Sequence, residues 1–210
     1  MMSLVKAAVN TCGRRIYLGL ACAMTCLLCA CSAGKLSQAP RQLDLGAGPG
    51  VMNKMALPRN APVVVPEATA SALLVDTAVI WRVGHAGQPQ AYATFQWAAP
   101  PARLVNQRLI ERLSLQGAVL PQNVGGDLPQ IRLNLQRFEQ FFAADGSSSV
   151  GALTLQAVLV KDGKVLDQRL VDIQVPAATQ DAPGGADALR RATDQATEQV
   201  AKWASEQLKP

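Results

Sequence analysis

The sequence predicts an α+β fold, a largely antiparallel sheet with two main helices packed on one side, in the order β-β-α-β-β-β-α. Three observations carry it. Alternating runs at 72–82 and 91–97 flank a turn-rich stretch, as a hairpin does. Three further strand-like runs lie between 131 and 175, separated by AspGlySerSerSer and by Asp162-Gly163. Two stretches, 101–116 and 186–208, carry apolar residues at helical spacing.

Taken in order, Leu43-Asp44-Leu45-Gly46 and Val63-Val64-Val65 are expected as short extended pieces, with loop over 46–62. Leu73, Val75, Val79 and Trp81 fall on one face of the first alternating run, and Ala91, Ala93, Phe95 and Trp97 on one face of the second. Pro100-Pro101 opens a helix, because proline is tolerated in a first turn. Its apolar stripe is Ala102, Val105, Leu109 and Leu113, with Arg103, Arg108, Glu111 and Arg112 mostly off that face. Residues 117–130 are rich in breakers and read as loop. Ile131, Leu133 and Leu135 alternate, and then the apolar phase slips by one to Phe138 and Phe142, which requires a bulge or a strand end covered on both faces. Phe138, Phe141 and Phe142 cannot all point inward. Leu153, Leu155, Ala157 and Leu159 mark the core face of the next strand, and Val171, Ile173 and Val175 that of the third. Residues 176–185 read as loop. In the closing helix Leu189, Thr193, Ala196, Val200 and Trp203 form a narrow stripe, suited to lying on a sheet or in a partner-helix groove.

Ahead of this domain, Lys6, Arg14 and Arg15 precede an apolar core, Ile16 to Leu28, that falls short of the roughly 20 residues needed to span a bilayer. The core ends in Leu28-Cys29-Ala30-Cys31, which resembles a bacterial lipobox. Small residues at −2 and −1 admit the peptidase, and the Cys31 sulfur is the nucleophile that takes up diacylglycerol. Leu28 is too large at −1 for Cys29 to serve instead. The expected organisation is a cleaved signal over 1–30, a lipidated tether over 31–42 and one periplasmic domain over 43–210. The only cofactor expected is the covalent diacylglycerol and N-acyl lipid on Cys31. Ser32 follows it, which in diderm bacteria directs a lipoprotein to the outer membrane. All five cysteines lie at or before position 31, so the rest of the chain has no disulfide or thiol chemistry.

Of the 20 basic residues three precede position 31, and none of the 15 acidic ones does, so the formal charge of +5 falls to +2 beyond the leader. That balance does not point to nucleic acid. His85, the one histidine, sits in a glycine-rich turn and is expected to be exposed. Asp44, Asp76, Glu139 and Asp172 are scattered singly, as solvent-face charges are. Neither a nucleophile elbow nor a phosphate loop occurs, so neither catalysis nor a metal site is expected. Trp81, Tyr92, Phe95 and Trp97 concentrate four of nine aromatics in one hairpin. Core packing explains such a group. A surface contacting lipid or a partner also does, and Trp81, Tyr92, Trp97, Phe141 and Phe142 are its candidate residues.

The ordered set is similar to one family. It comprises the lipobox, the AspLeuGly piece, IleTrpArgVal (80–83), the Tyr92–Trp97 strand running into residues 98–113, IleArgLeuAsnLeuGlnArgPheGluGlnPhePhe (131–142), the GlySerSerSer turn and the terminal helix with Trp203. It resembles the ABC-type transport auxiliary lipoproteins, the PqiC-like family. The resemblance implies a non-catalytic subunit at the outer-membrane side of a system moving lipids or other hydrophobic molecules across the periplasm. It further implies partners: an MCE-type periplasmic protein, an inner-membrane ABC permease with its ATPase, and other copies of the chain. The alternative is a free-standing lipid or hydrophobic-ligand binder, which needs an apolar cavity between sheet and helices.

Overall fold

The computed structural model describes residues 39–48, 60–124 and 126–208. Four short strands and a longer one come first: β1 (Arg41–Leu43), β2 (Asn60–Val64), β3 (Thr69–Ala70), β4 (Ala78–Val83) and β5 (Gln90–Trp97). Then follow α1 (Pro101–Ser114), β6 (Gly117–Leu120), β7 (Gln130–Phe142), β8 (Ser149–Lys161), β9 (Lys164–Pro176) and α2 (Ala182–Gln207). Cys31, with Leu28, Cys29 and Ala30, lies outside the described residues, as do the leader and most of the tether.

β7 is the strand on which the sheet is built. One of its edges pairs antiparallel with β8 along the whole length, and β8 pairs antiparallel with β9. The other edge is occupied in turn by three short parallel strands. Val64 of β2 faces Gln130, Thr69 and Ala70 of β3 face Asn134 and Leu135, and Trp81–Val83 of β4 face Gln140–Phe142. The chain from 64 to 83 therefore tracks β7 in the same direction. β5 and then β1 extend the sheet beyond β4, and β6 extends it beyond β2. The result is an α+β fold on a mixed sheet, with long antiparallel ladders and short parallel ones.

Local chemistry explains the irregularities. The apolar slip near Gln136 is a β-bulge, since Leu135 faces Leu155 while Arg137 faces Thr154. Beyond it Phe138, Glu139 and Gln140 are all buried, so this strand end is also covered on both faces. Asp162 and Gly163 both take positive φ, 49° and 72°, as a two-residue turn between twisted strands requires.

Four expectations are corrected. Residues 72–74 form a turn of 3-10 helix and β4 starts only at Ala78, so Leu74 is buried while Leu73 and Val75 are exposed. Residues 117–120 are strand β6 and not loop, held in parallel by β2. Arg108 is buried, because its charge is met from two other segments, at Leu45-Gly46 and at Asp194 of the last helix. The last helix begins four residues before the expected Ala186. Asp181 caps it by accepting a hydrogen bond from the Gly184 N–H at 2.9 Å, and Pro183 sits in the first turn, where no intrahelical N–H is needed.

Both helices cover the same side of β7–β9. Leu109 from α1, Ile131, Leu153 and Ala157 from the sheet, and Leu189 and Val200 from α2 are each at most 1% exposed. Ala188, Ala192 and Ala196 are fully buried as well, so α2 lies close on the sheet and its narrow stripe is not a free groove. Trp203 closes the far end, with its Nε1 donating to Asp167 at 2.7 Å.

Candidate functional site

Half-buried rings gather where β4, β5 and β7 meet. Because β4 runs parallel to the end of β7, Trp81 stands opposite Gln140 and Val83 opposite Phe142. Alternation then places Trp81 and Phe142 side by side, with centroids 6.0 Å apart and planes at 80°. On its other side Trp81 meets Tyr92 at 6.1 Å, and Tyr92 meets Phe95 at 6.3 Å. The β4–β5 pairing shifts between Ala78 and Ile80, which face Gln96 and Ala91, so β5 carries extra residues between its paired ends. That irregularity lets Tyr92 and Phe95, three apart, share one patch, and it leaves Ala91 and Ala93 exposed where strict alternation would bury them. Arg41 of β1 completes the row, its guanidinium 5.3 Å from the Phe95 centroid.

A polar chain supports the rings from behind. The Tyr92 hydroxyl donates to Gln140 Oε1 at 2.7 Å, and Gln140 Nε2 donates to Ser149 Oγ at 2.8 Å. Gln140 and Ser149 are both buried. Gly185 of α2 packs on the Gln140 amide, and a Cβ there would collide with it. Burial raises the Tyr92 pKa, and the negative charge of Asp181 adds to the rise, so the hydroxyl stays protonated and keeps donating.

On the neighbouring strand positions Arg82 Nε donates to both Glu139 oxygens, at 3.3 and 3.2 Å, and Arg82 Nη1 donates to the Gly87 carbonyl at 2.8 Å. This fixes the turn after β4 against β7. Glu139, expected on a solvent face, is thus buried and paired. Asp172 accepts from Thr154 and Arg137, and these contacts, Thr154 foremost, hold its pKa low. Asp44 and Asp76 each accept from the backbone N–H two residues on. His85 is exposed in its turn, with its ring 5.1 Å from Phe141.

Of the candidate contact residues, the structure brings Trp81, Tyr92 and Phe142 together and sets Phe141 beside His85. Trp97 is a correction. It is 1% exposed and packs on Phe138 at 5.3 Å, so it belongs to the core and offers nothing to a partner. Sequence reasoning assigned no role to Arg41 or Gln140. Gln140 could have been suspected as a polar residue inside the PheGluGlnPhePhe run, while the Arg41 contact depends on a strand pairing more than 50 positions distant. The cluster offers ring faces, the Arg41 guanidinium and a committed hydroxyl, which suits contact with a boundary of mixed apolar and anionic character. Among the described residues no group of three or more His, Cys, Asp or Glu is placed to hold a metal ion. Nor is any described helix long and apolar enough to cross a membrane.

A family model for the ABC-type transport auxiliary lipoprotein component matches residues 43–201. The chain belongs to this family. As an ABC-type transport auxiliary lipoprotein it is a component associated with a transport system, in a family of membrane-anchored proteins. Its fold is similar to the crystal structure of a Xanthomonas campestris protein of the DUF330 family, at a TM-score of 0.64 and 20% identity, covering 80% of this chain and 94% of that one. A second crystal structure, of a protein described as uncharacterized, aligns at a TM-score of 0.63 and 15% identity, covering 80% of this chain and all of the other. At these identities the likeness establishes the fold alone. No curated protein gives a significant match.

Proposed function

We propose that this auxiliary lipoprotein is the outer-membrane-anchored, non-catalytic docking subunit of an MCE/ABC-type system that moves lipids or other hydrophobic molecules across the periplasm. Its partners are the MCE-type periplasmic protein and the inner-membrane permease with its ATPase. Cys31 carries the anchoring lipid. Each buried CH₂ contributes about 0.8 kcal/mol, so three chains hold the protein firmly.

One observation carries the reading beyond family membership. β1, the first described strand, pairs with β5 so that Arg41 faces Phe95. The chain therefore enters the fold at the aromatic cluster. The ten residues from Cys31 to Arg41 reach at most about 35 Å when fully extended. A lipid on Cys31 thus keeps Trp81, Tyr92, Phe95 and Phe142 within reach of the membrane surface, where such rings sit well at the headgroup level. The free-standing ligand binder is disfavoured, since the interface it would need as a cavity is filled by Leu109, Ile131, Leu153, Leu189 and Val200.

Fluorescence of the full-length lipidated protein in phosphatidylethanolamine–phosphatidylglycerol vesicles with brominated acyl chains tests the contact. Of the three tryptophans, Trp97 and Trp203 are buried and Trp81 is half-buried. The bromolipid is expected to quench mainly Trp81, and Trp81→Phe to remove most of the quenching. Quenching that survives Trp81→Phe, or none in the parent, would refute a membrane-facing cluster.

A further inference from the structure

The aromatic row differs in charge at its two ends. At the β1 end the Arg41 guanidinium lies over Phe95, and Tyr92, Trp81 and Phe142 follow in ring contact. Arg41 is exposed on the outermost strand of this edge, and among the described residues no carboxylate pairs with it. Arg82, one position from Trp81, is by contrast committed to Glu139 and to the Gly87 carbonyl. At the α2 end stands Asp181, whose negative charge acts on Tyr92. Two residues beyond Arg41 and Phe95, Leu43 faces Trp97 and both pack with the core. The row is therefore the rim of the core, cationic where the chain enters the fold and anionic where α2 begins.

We propose that Arg41 binds the phosphate of an anionic phospholipid, so that the domain sits on the membrane by its β1–β5 edge with Phe95, Tyr92 and Trp81 at headgroup level. This deepens the membrane-facing reading of the cluster and rests on it. A guanidinium presents its N–H donors in a planar fork that matches a phosphate. Stacked on Phe95, that plane is held in place while its N–H edge stays open, so little freedom is lost when a headgroup arrives. Phosphatidylglycerol leaves its phosphate charge uncompensated, whereas the ammonium of phosphatidylcholine offsets it. The attraction is therefore to the anionic lipid. Asp181 repels the same headgroup, which sets the β1 end and not the α2 end against the phosphates. The tether reinforces the choice. Arg41 lies ten residues from Cys31, at most about 35 Å of extended chain, so the anchoring lipid and the bound headgroup share one leaflet. Confinement at the surface lets a single cation suffice, because the local concentration of headgroups is high.

Lipid selectivity at Trp81 tests this in the full-length lipidated protein. Two sets of vesicles share one mixture of phosphatidylglycerol and phosphatidylcholine and differ only in which lipid carries brominated acyl chains, at the same mole fraction. Brominated phosphatidylglycerol is expected to quench Trp81 more strongly, with a local enrichment of up to about fivefold for one basic side chain. Arg41→Gln should make the two lipids equal while leaving the quenching by brominated phosphatidylcholine in place. Arg41→Lys should keep part of the preference, since the charge remains. Arg169→Gln, at an exposed position on β9 at the far edge of the sheet, should leave the preference unchanged. Equal quenching by both lipids in the parent, a preference that survives Arg41→Gln, or one that Arg169→Gln removes equally well would overturn the role of Arg41 and leave the membrane contact standing. Quenching by neither lipid would overturn the contact and the role together.

Discussion

Arg108→Ala is expected to lower the stability of the fold by about 3–5 kcal/mol, the usual effect of breaking a buried ion pair from one side. Arg108 is 4% exposed and ties its own helix to two other segments. Its Nη1 donates to Asp194 of α2 at 2.6 Å, and its Nη2 donates to the carbonyls of Leu45 and Gly46, each at 2.7 Å. Truncation strands both carbonyls and leaves Asp194 with only the Arg190 guanidinium at 3.8 Å. Burial already raises the Asp194 pKa against the pull of Arg108 and Arg190. For a domain of this size the loss corresponds to a drop in Tm of roughly 10 °C. Arg108→Lys should recover little, because one ammonium group cannot match the fork of a guanidinium. Arg108→Leu combined with Asp194→Leu should be milder than Arg108→Ala alone, since no buried charge is left unpaired. Thermal unfolding of the three variants checks this. A single-variant loss below 1 kcal/mol would show that water reaches the pair.

Gly151→Val should be at least as damaging, by about 3 kcal/mol or more, through overpacking against backbone that cannot yield. Gly151 lies on β8 beneath α2, and a Cβ there would stand 2.6 Å from both the Ala188 carbonyl carbon and the Leu189 nitrogen. The whole helix would have to lift, opening the layer that Leu189, Val200 and Trp203 close. Loss of cooperative unfolding in Gly151→Val, beside a folded Gln156→Val control on the opposite face of the same strand, is the expected outcome of denaturant titration. A native-like midpoint for Gly151→Val would mean that α2 does not sit so close.

These two sites also mark what the sequence reveals and what it hides. β7, β8, β9 and both helices are legible because their periodicity is local, and the bulge at Gln136 shows as a slip of one in the apolar phase. Arg108 is not legible. On a helical wheel it is one more charge beside the stripe, and the partners that bury it lie 63 and 86 residues away. β6 was masked by its glycine- and proline-rich surroundings, and it exists because β2 pairs with it. The start of α2 was masked by Pro183-Gly184-Gly185, which reads as a break until the Asp181 cap and the close contact of Gly185 with Gln140 are seen. The aromatic site was half legible. The hairpin concentration was plain, but only the parallel pairing of β4 with β7 separates Trp81, at the surface with Phe142, from Trp97, in the core with Phe138.

The docking role is tested most directly by purifying the full-length, C-terminally tagged protein from gently solubilised membranes and identifying its partners by mass, with Cys31→Ala in parallel. Recovery of an MCE-type protein with an ABC permease or ATPase, diminished in Cys31→Ala for want of the anchor, is the predicted result. Recovery of the protein alone across several detergents, or equal recovery of partners without Cys31, would contradict it.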